Sequence, residues 1–174
     1  MNIKDNFAIF REIEFPHVLT LMNLTSGIIS ILFSVSKEYK LACIFMLAAV
    51  FFDFIDGKIA RYTKKVTAMG KELDSLCDIV SFGVAPVILA FQTTRNIGEG
   101  WIFAAIIYVA FLWAGALRLA RFNTKELAYF EGMPITVNGV SVPILYFFGL
   151  TSWYPFIFLL AAIFMISAFR IRKL

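Results

Sequence analysis

LACIFMLAAVFFDFIDGKIARY at residues 41–62 and MGKELDSLCDIVSFGVAPVILAFQT at residues 69–93 are the stretches whose reading decides the fold. Each has the length of a bilayer-crossing helix, which needs ~20 predominantly apolar residues. Each also carries a pair of aspartates, Asp53 and Asp56 in the first and Asp74 and Asp78 in the second. An ionisable side chain at membrane depth costs about 2.5 to 3.5 kcal/mol on insertion scales, so acids retained there point to function. A solvated charge run is the alternative reading, but Phe, Ile, Leu and Val surround all four carboxylates.

Further apolar segments lie at residues 18–36, 100–122, 135–151 and 154–170, separated by KEYK, YTKKVT, TTRNIGEG, NTKELAYFEGM and SWY. Of 174 residues 60% are hydrophobic and 16% charged, where a soluble domain is about half apolar and a quarter charged. The expected fold is therefore all-α and integral to the membrane, with six transmembrane helices in one domain over residues 16–174. Residues 1–15 set Ile3, Phe7, Phe10 and Ile13 opposite Lys4, Asp5, Arg11 and Glu12, the pattern of a short amphipathic interfacial helix. The first long apolar run starts only near Val18 and no small-residue cleavage site follows it, so this segment is expected to be retained. Pro86, Pro134 and Pro143 are expected to kink the helices that contain them or begin at them.

Charge placement orients the bundle. With both termini on one side, that side holds Lys4, Arg11, Lys58, Arg61, Lys64, Lys65, Lys71, Arg118, Arg121, Lys125, Arg170, Arg172 and Lys173, against Lys37, Lys40 and Arg95 on the other. Basic residues mark the cytoplasmic face, so termini and acids are both expected there. The net charge of +4 is thus a membrane-surface property, and no nucleic-acid partner is expected. Cys43, Cys77 and His17 are the only residues of their types, which excludes a His/Cys zinc site and leaves oxygen as the donor for any metal.

Asp53 and Asp56 are three residues apart and Asp74 and Asp78 four apart, so each pair shares a helix face. An antiparallel hairpin turning near Lys65 would set Asp53 opposite Asp78, Asp56 opposite Asp74 and Ala60 opposite Gly70, with the two small residues allowing close approach. Four carboxylates at close quarters in low dielectric stay ionised only if a cation joins them. Oxygen-only donors suit Mg²⁺, Mn²⁺ or Ca²⁺, and two acid pairs could hold two ions about 3.5 to 4 Å apart, a clamp for a phosphoryl group. On this reading Arg61 meets a phosphate oxygen and Gly57 lets a bulky ligand approach the backbone.

Written with gaps, residues 53–78 are Asp53-x2-Asp56-Gly57-x2-Ala60-Arg61-x8-Gly70-x3-Asp74-x3-Asp78. This resembles the signature of the CDP-alcohol phosphotransferases at every fixed position. Ser75-Leu-Cys-Asp78-Ile-Val-Ser81-Phe-Gly83-Val-Ala-Pro86, Arg118-Leu-Ala-Arg121-Phe-Asn123 and Pro16-x3-Thr20-x2-Asn23-x3-Gly27 are similar to the phosphatidylserine synthase branch of that family, with His17 a departure where asparagine is expected. The resemblance covers about residues 16–134. It implies CDP-diacylglycerol and L-serine as substrates, phosphatidylserine and CMP as products, Mg²⁺ or Mn²⁺ as cofactor, and a homodimer. It further implies Asp53, Asp56 and Asp74 as metal ligands, and Asp78 as a metal ligand or the general base. Gly57, Ala60, Arg61 and Gly70 are then expected against the nucleotide and its phosphates.

Thr20, Asn23, Gly27, Ser30 and Ser34 form one small, polar face of the first helix. The last three suit helix packing, whereas Thr20 and Asn23 lie at the depth of the acids and are expected to touch substrate. Arg118 and Arg121 are either snorkelling anchors or captors of the serine carboxylate or a substrate phosphate. Two alternatives stand beside this reading: the same chemistry with glycerol phosphate or inositol phosphate as acceptor, and a divalent-cation transporter using the acids as its ion path.

Overall fold

The structure, a computed structural model, describes residues 15–63, 67–95, 100–124, 129–167 and 170–172. The amphipathic segment expected over residues 1–15 lies outside them save for Phe15, as do Lys64 and Lys65.

Helix α1 (Phe15–Val35) carries many hydroxyls, most of which its own backbone absorbs: Thr25 Oγ1 donates to Leu21 O at 2.8 Å, Ser26 Oγ to Met22 O at 2.8 Å and Ser34 Oγ to Ser30 O at 2.9 Å. Such bonds let polar residues sit in apolar surroundings without orphaned groups. The helix ends on Lys37 in the left-handed region (φ 64°), with Glu38 N donating to Phe33 O and Lys37 N to Ser34 O. That Schellman pattern reverses the chain into α2 (Tyr39–Thr63).

Next in the chain come α3 (Ala68–Asp78), a π-helical stretch (Ile79–Val84) and α4 (Ala85–Thr94), which together make one 27-residue helix. Thr67 caps its start by accepting from Gly70 N at 3.0 Å. In the π stretch Ala85 N–H bonds to Val80 O, one residue further back than in an α-helix. Pro86 follows at once; it has no N–H to give, so it suits the point where the helix resumes α winding. Helix α5 (Trp101–Thr124), α6 (Thr136–Phe147), a 3₁₀ turn (Thr151–Trp153) and α7 (Tyr154–Ile166) complete the bundle.

Helix α1 packs along α2, α5 along α7, and α6 against α2, with the π stretch central among α1, α5 and α6. Phe158 of α7 makes edge contacts with Phe111 at 4.7 Å and Tyr108 at 5.0 Å between ring centroids, and Tyr154 Oη donates to Val142 O at 3.1 Å. Large apolar side chains also face outward, among them Leu32, Phe51, Phe103, Ile106, Trp113 and Ile163. An outer surface this apolar fits a hydrocarbon solvent.

Among the described residues six helices form where the apolar segments predict them, but the expectation of six transmembrane helices is overturned. Among the described residues three are long and apolar enough to cross a membrane: Phe15–Val35, Ala68–Thr94 and Trp101–Thr124. Helix α2 has 25 residues, yet Lys40, Asp53, Asp56, Lys58 and Arg61 leave no sufficiently uncharged window within it. Helix α6 has only 12 residues, about 18 Å of rise against a hydrocarbon core of about 30 Å. It stops at Phe147 because Phe148 and Gly149 leave helical geometry, Gly149 at φ +70°. Helix α7 is likewise short at 13 residues.

One further element was not foreseen. Strands β1 (Tyr129–Glu131) and β2 (Arg170–Arg172) pair antiparallel, linking the segment after α5 to the segment after α7. Gly132 follows β1 at φ +76°, where a Cβ would lie 2.7 Å from Met165 O.

Candidate metal and substrate site

The acids gather where the C-terminal half of α2 meets the α3 end of the long helix. One carboxylate oxygen from each of Asp53, Asp56 and Asp74 lies within 4.8 Å of the other two. Asp56 is 5% exposed, and its Oδ2 has no hydrogen-bond partner among the described residues. A buried carboxylate oxygen with no partner bears a large desolvation cost. Three carboxylates gathered this closely, one of them with an unpartnered oxygen, fit a hard divalent cation of the Mg²⁺ or Mn²⁺ type. The residues present therefore fit the metal that their spacing suggests.

Asp78 stands beside this trio rather than within it. It is 8% exposed, touches the Asp53 carboxylate, and accepts from Asn23 Nδ2 at 3.4 Å. Ser81 Oγ donates to Asn23 O at 3.2 Å, so α1 and the long helix bond twice around this asparagine. The close approach rests on Gly27, where a Cβ would collide with the Ser81 hydroxyl. The π stretch begins one residue after Asp78 and buries Ser81, Phe82 and Gly83. π-Bulges often accompany functional sites, since one extra residue per turn re-aims the neighbouring side chains.

Hydroxyls support the acids from two directions. Thr20 of α1 is buried, with its Oγ1 in reach of both Pro16 O (3.1 Å) and the Asp56 carboxylate. Thr136, at the start of α6, reaches the Asp53 carboxylate. The sequence reading missed Thr136: it lies 83 positions beyond Asp53, in helices that carry no recognisable motif, and only the packing of α6 on α2 brings the two together.

The remaining candidates divide. Gly57 follows Asp56 directly, and a Cβ placed on it would meet nothing within 4 Å, so the space before it is open. Arg61 is exposed, its Nε donating to Gly57 O at 2.9 Å, and Ala60 is half-buried on the same helix. Gly70 does not serve a close α2–α3 contact as the hairpin reading expected. A Cβ there would lie 2.8 Å from His17 Nε2 and 3.0 Å from Thr67 Oγ1, so its missing side chain makes room for α1. His17, the departure from the expected asparagine, is buried in that contact. Helix α1 packs on both α2 and α3, and across α2 and α3 the carboxylates of Asp53 and Asp78 meet as the antiparallel reading expected. Ser30 and Ser34 are packing residues, Ser30 Oγ donating to Ala42 O at 2.8 Å across to α2.

Arg118 is 7% exposed near the C-terminal end of α5, and its charge acts on Asp78. Its Nε is buried without a hydrogen-bond partner among the described residues. Arg121, one turn on, is partly buried. A guanidinium this buried with an unused donor is poorly explained as a snorkelling anchor, whose head group reaches water.

Known proteins resemble this chain in sequence. Residues 13–170 match the CDP-alcohol phosphatidyltransferase family. Over 155 residues the chain is 38% identical to archaetidylserine synthase of Methanothermobacter thermautotrophicus, covering 87% of this chain and 65% of that protein. It is 36% identical over 133 residues to CDP-diacylglycerol–serine O-phosphatidyltransferase of Helicobacter pylori, covering 74% and 55%. It is 38% identical over 138 residues to the protein of that name in Bacillus subtilis, covering 76% and 75%. The chain thus spans between about half and two thirds of the first two relatives.

Proposed function

The chain belongs to the CDP-alcohol phosphatidyltransferase family, and from that premise we propose that it transfers the phosphatidyl group of CDP-diacylglycerol to the hydroxyl of L-serine, releasing CMP. The observation that carries the reading is the Asp53, Asp56 and Asp74 trio with its unpartnered Asp56 oxygen, set beside Asp78. The serine acceptor is supported by relatives at 36% and 38% identity that are named for serine transfer.

In this proposal Asp53, Asp56 and Asp74 hold Mg²⁺ or Mn²⁺, which when bound neutralises the diphosphate and the departing CMP. Asp78 takes the proton from the serine hydroxyl as it attacks, and Asn23 keeps that carboxylate aimed. If a second ion is held, Asp78 is its ligand on this chain. Gly57 admits the nucleotide to the backbone, with Ala60, Arg61, Thr20 and Gly70 around it; Arg61 swings from Gly57 O to a phosphate oxygen. Arg118, with Arg121 beside it, receives the serine carboxylate. We place the site and both termini on the cytoplasmic side, because the basic residues crowd that side. The family resemblance supports a homodimer.

CMP release by the purified protein in detergent tests this, with CDP-diacylglycerol and Mn²⁺ or Mg²⁺ and with L-serine, glycerol 3-phosphate, inositol phosphate or no acceptor. Release that needs metal and serine together is the expected result. Release with another acceptor keeps the class and replaces serine, and no release with any acceptor removes the proposal.

A further inference from the structure

Helix α5 ends against the first turns of α3 through a set of polar contacts that the proposed chemistry does not use. Asn123 Nδ2 donates to Glu72 Oε2 at 3.1 Å and to Ser75 Oγ at 3.0 Å, and the Ser75 hydroxyl reaches Asn123 Oδ1 at 3.2 Å. Lys71 Nζ donates to Phe122 O at 3.2 Å and Asn123 O at 3.4 Å, and lies 5.1 Å from the centre of the Phe122 ring. A cation on the last carbonyls of a helix satisfies orphan acceptors and complements the helix dipole. Every partner on the α3 side is within seven residues of Asp78, and Asn123 is five residues past Arg118, about 7.5 Å along the α5 axis.

We propose that Asn123, through Ser75 and Glu72, is a positioning residue that fixes the axial register of α5 on α3, and so sets how far Arg118 stands from Asp78. The inference rests on the reading of Asp78 and Arg118 as the acceptor side of the site. Asp74, the trio's member on α3, is one residue from Ser75, but α3 is also held to α1 by the Asn23–Asp78 and Ser81–Asn23 bonds, so the clasp moves α5 rather than the trio. Loosening the clasp therefore weakens acceptor handling and leaves metal and donor lipid in place.

The test uses Asn123→Ala, Ser75→Ala and the double variant, each checked for an unchanged unfolding temperature within a few degrees. Expected for each single variant is a rise of about fivefold in KM for serine, the factor that one lost hydrogen bond supplies. KM for CDP-diacylglycerol and Mn²⁺ affinity stay within about twofold, and the double variant is no worse than Asn123→Ala, because Ser75 acts through Asn123. An unchanged serine KM, an additive double, or equal losses in serine, donor and metal overturns the proposal. A second readout does not need turnover: the Mn²⁺–nitroxide distance by dipolar EPR, with the label at Leu117→Cys on the exposed face of α5, 67% exposed. Cys43 and Cys77 are both buried and escape labelling. Asn123→Ala should broaden that distance, and an unaltered distribution overturns the clasp. Broadening in a protein that shows no serine-dependent release keeps the clasp and removes the serine reading instead.

Discussion

Asn23 and Asp78, 55 residues apart in the chain, meet at 3.4 Å with the asparagine amide donating to the carboxylate, and the Asn23 carbonyl is in turn held by Ser81. The bond ties α1 to the long helix one residue before its π stretch. It gives a carboxylate at the edge of the acid trio a fixed direction.

Asp78→Asn removes a proton acceptor while keeping shape. Turnover should fall by about 10² to 10⁴, the range for loss of a general base, with CDP-diacylglycerol binding kept. Asn23→Leu should lower kcat by a smaller factor, near tenfold, because Asp78 survives but loses its guide. Steady-state CMP release beside equilibrium lipid binding measures both; near-normal turnover in Asp78→Asn would take this residue out of the proton-accepting role.

Metal binding should stabilise the fold. A ligand that binds only the native state raises stability in proportion to the logarithm of its concentration, about 2.7 kcal/mol at a hundred times Kd. The unfolding temperature of the wild-type protein should therefore climb with Mn²⁺ and drop back on chelation. In Asp56→Asn the climb should be largely lost, since the unpartnered Oδ2 is replaced by an amide. A thermal shift series resolves this, and equal responses of the two proteins would remove Asp56 as a ligand.

Two glycines should respond oppositely to alanine. At Gly27 the new methyl meets Ser81 in a packed contact, so stability should fall by about 1 to 3 kcal/mol. At Gly57 it meets nothing within 4 Å, so the unfolding temperature should hold while KM for the CDP-lipid rises several-fold. Thermal unfolding and donor kinetics on the same two preparations separate a packing glycine from one that faces ligand.

Arg118→Gln should raise KM for serine by about tenfold or more, the loss expected when a charged hydrogen bond to a carboxylate is removed, with little change in donor KM. Equal effects on both substrates would assign Arg118 to the phosphates.

The positions of the six helices and the acid cluster were legible in the sequence because both rest on local spacing. Apolar run lengths mark helices, and gaps of three and four place two acids on one helix face. The count of membrane-spanning helices was not legible. It depends on where α6 and α7 stop and on how much charge α2 carries, and an apolar run reads the same on either side of a helix end. Gly70 shows a second limit. Ala60 and Gly70, two small residues, were expected to face each other, but what lies nearest the Gly70 gap is His17 of α1.

What the sequence alone determined is the inventory and its chemistry: an apolar, helical chain with four aspartates set among apolar residues and with oxygen as the donor for any metal. Tertiary structure decided which of these residues share a space. Asp53, Asp56 and Asp74 form one group, Asp78 turns toward Asn23, and Thr136 and Asn123 arrive from distant segments. The physical reason is range. Helical periodicity correlates residues a few positions apart, whereas contacts between helices depend on how whole faces pack, on where a missing Cβ lets two backbones close, and on a π turn that shifts everything after it.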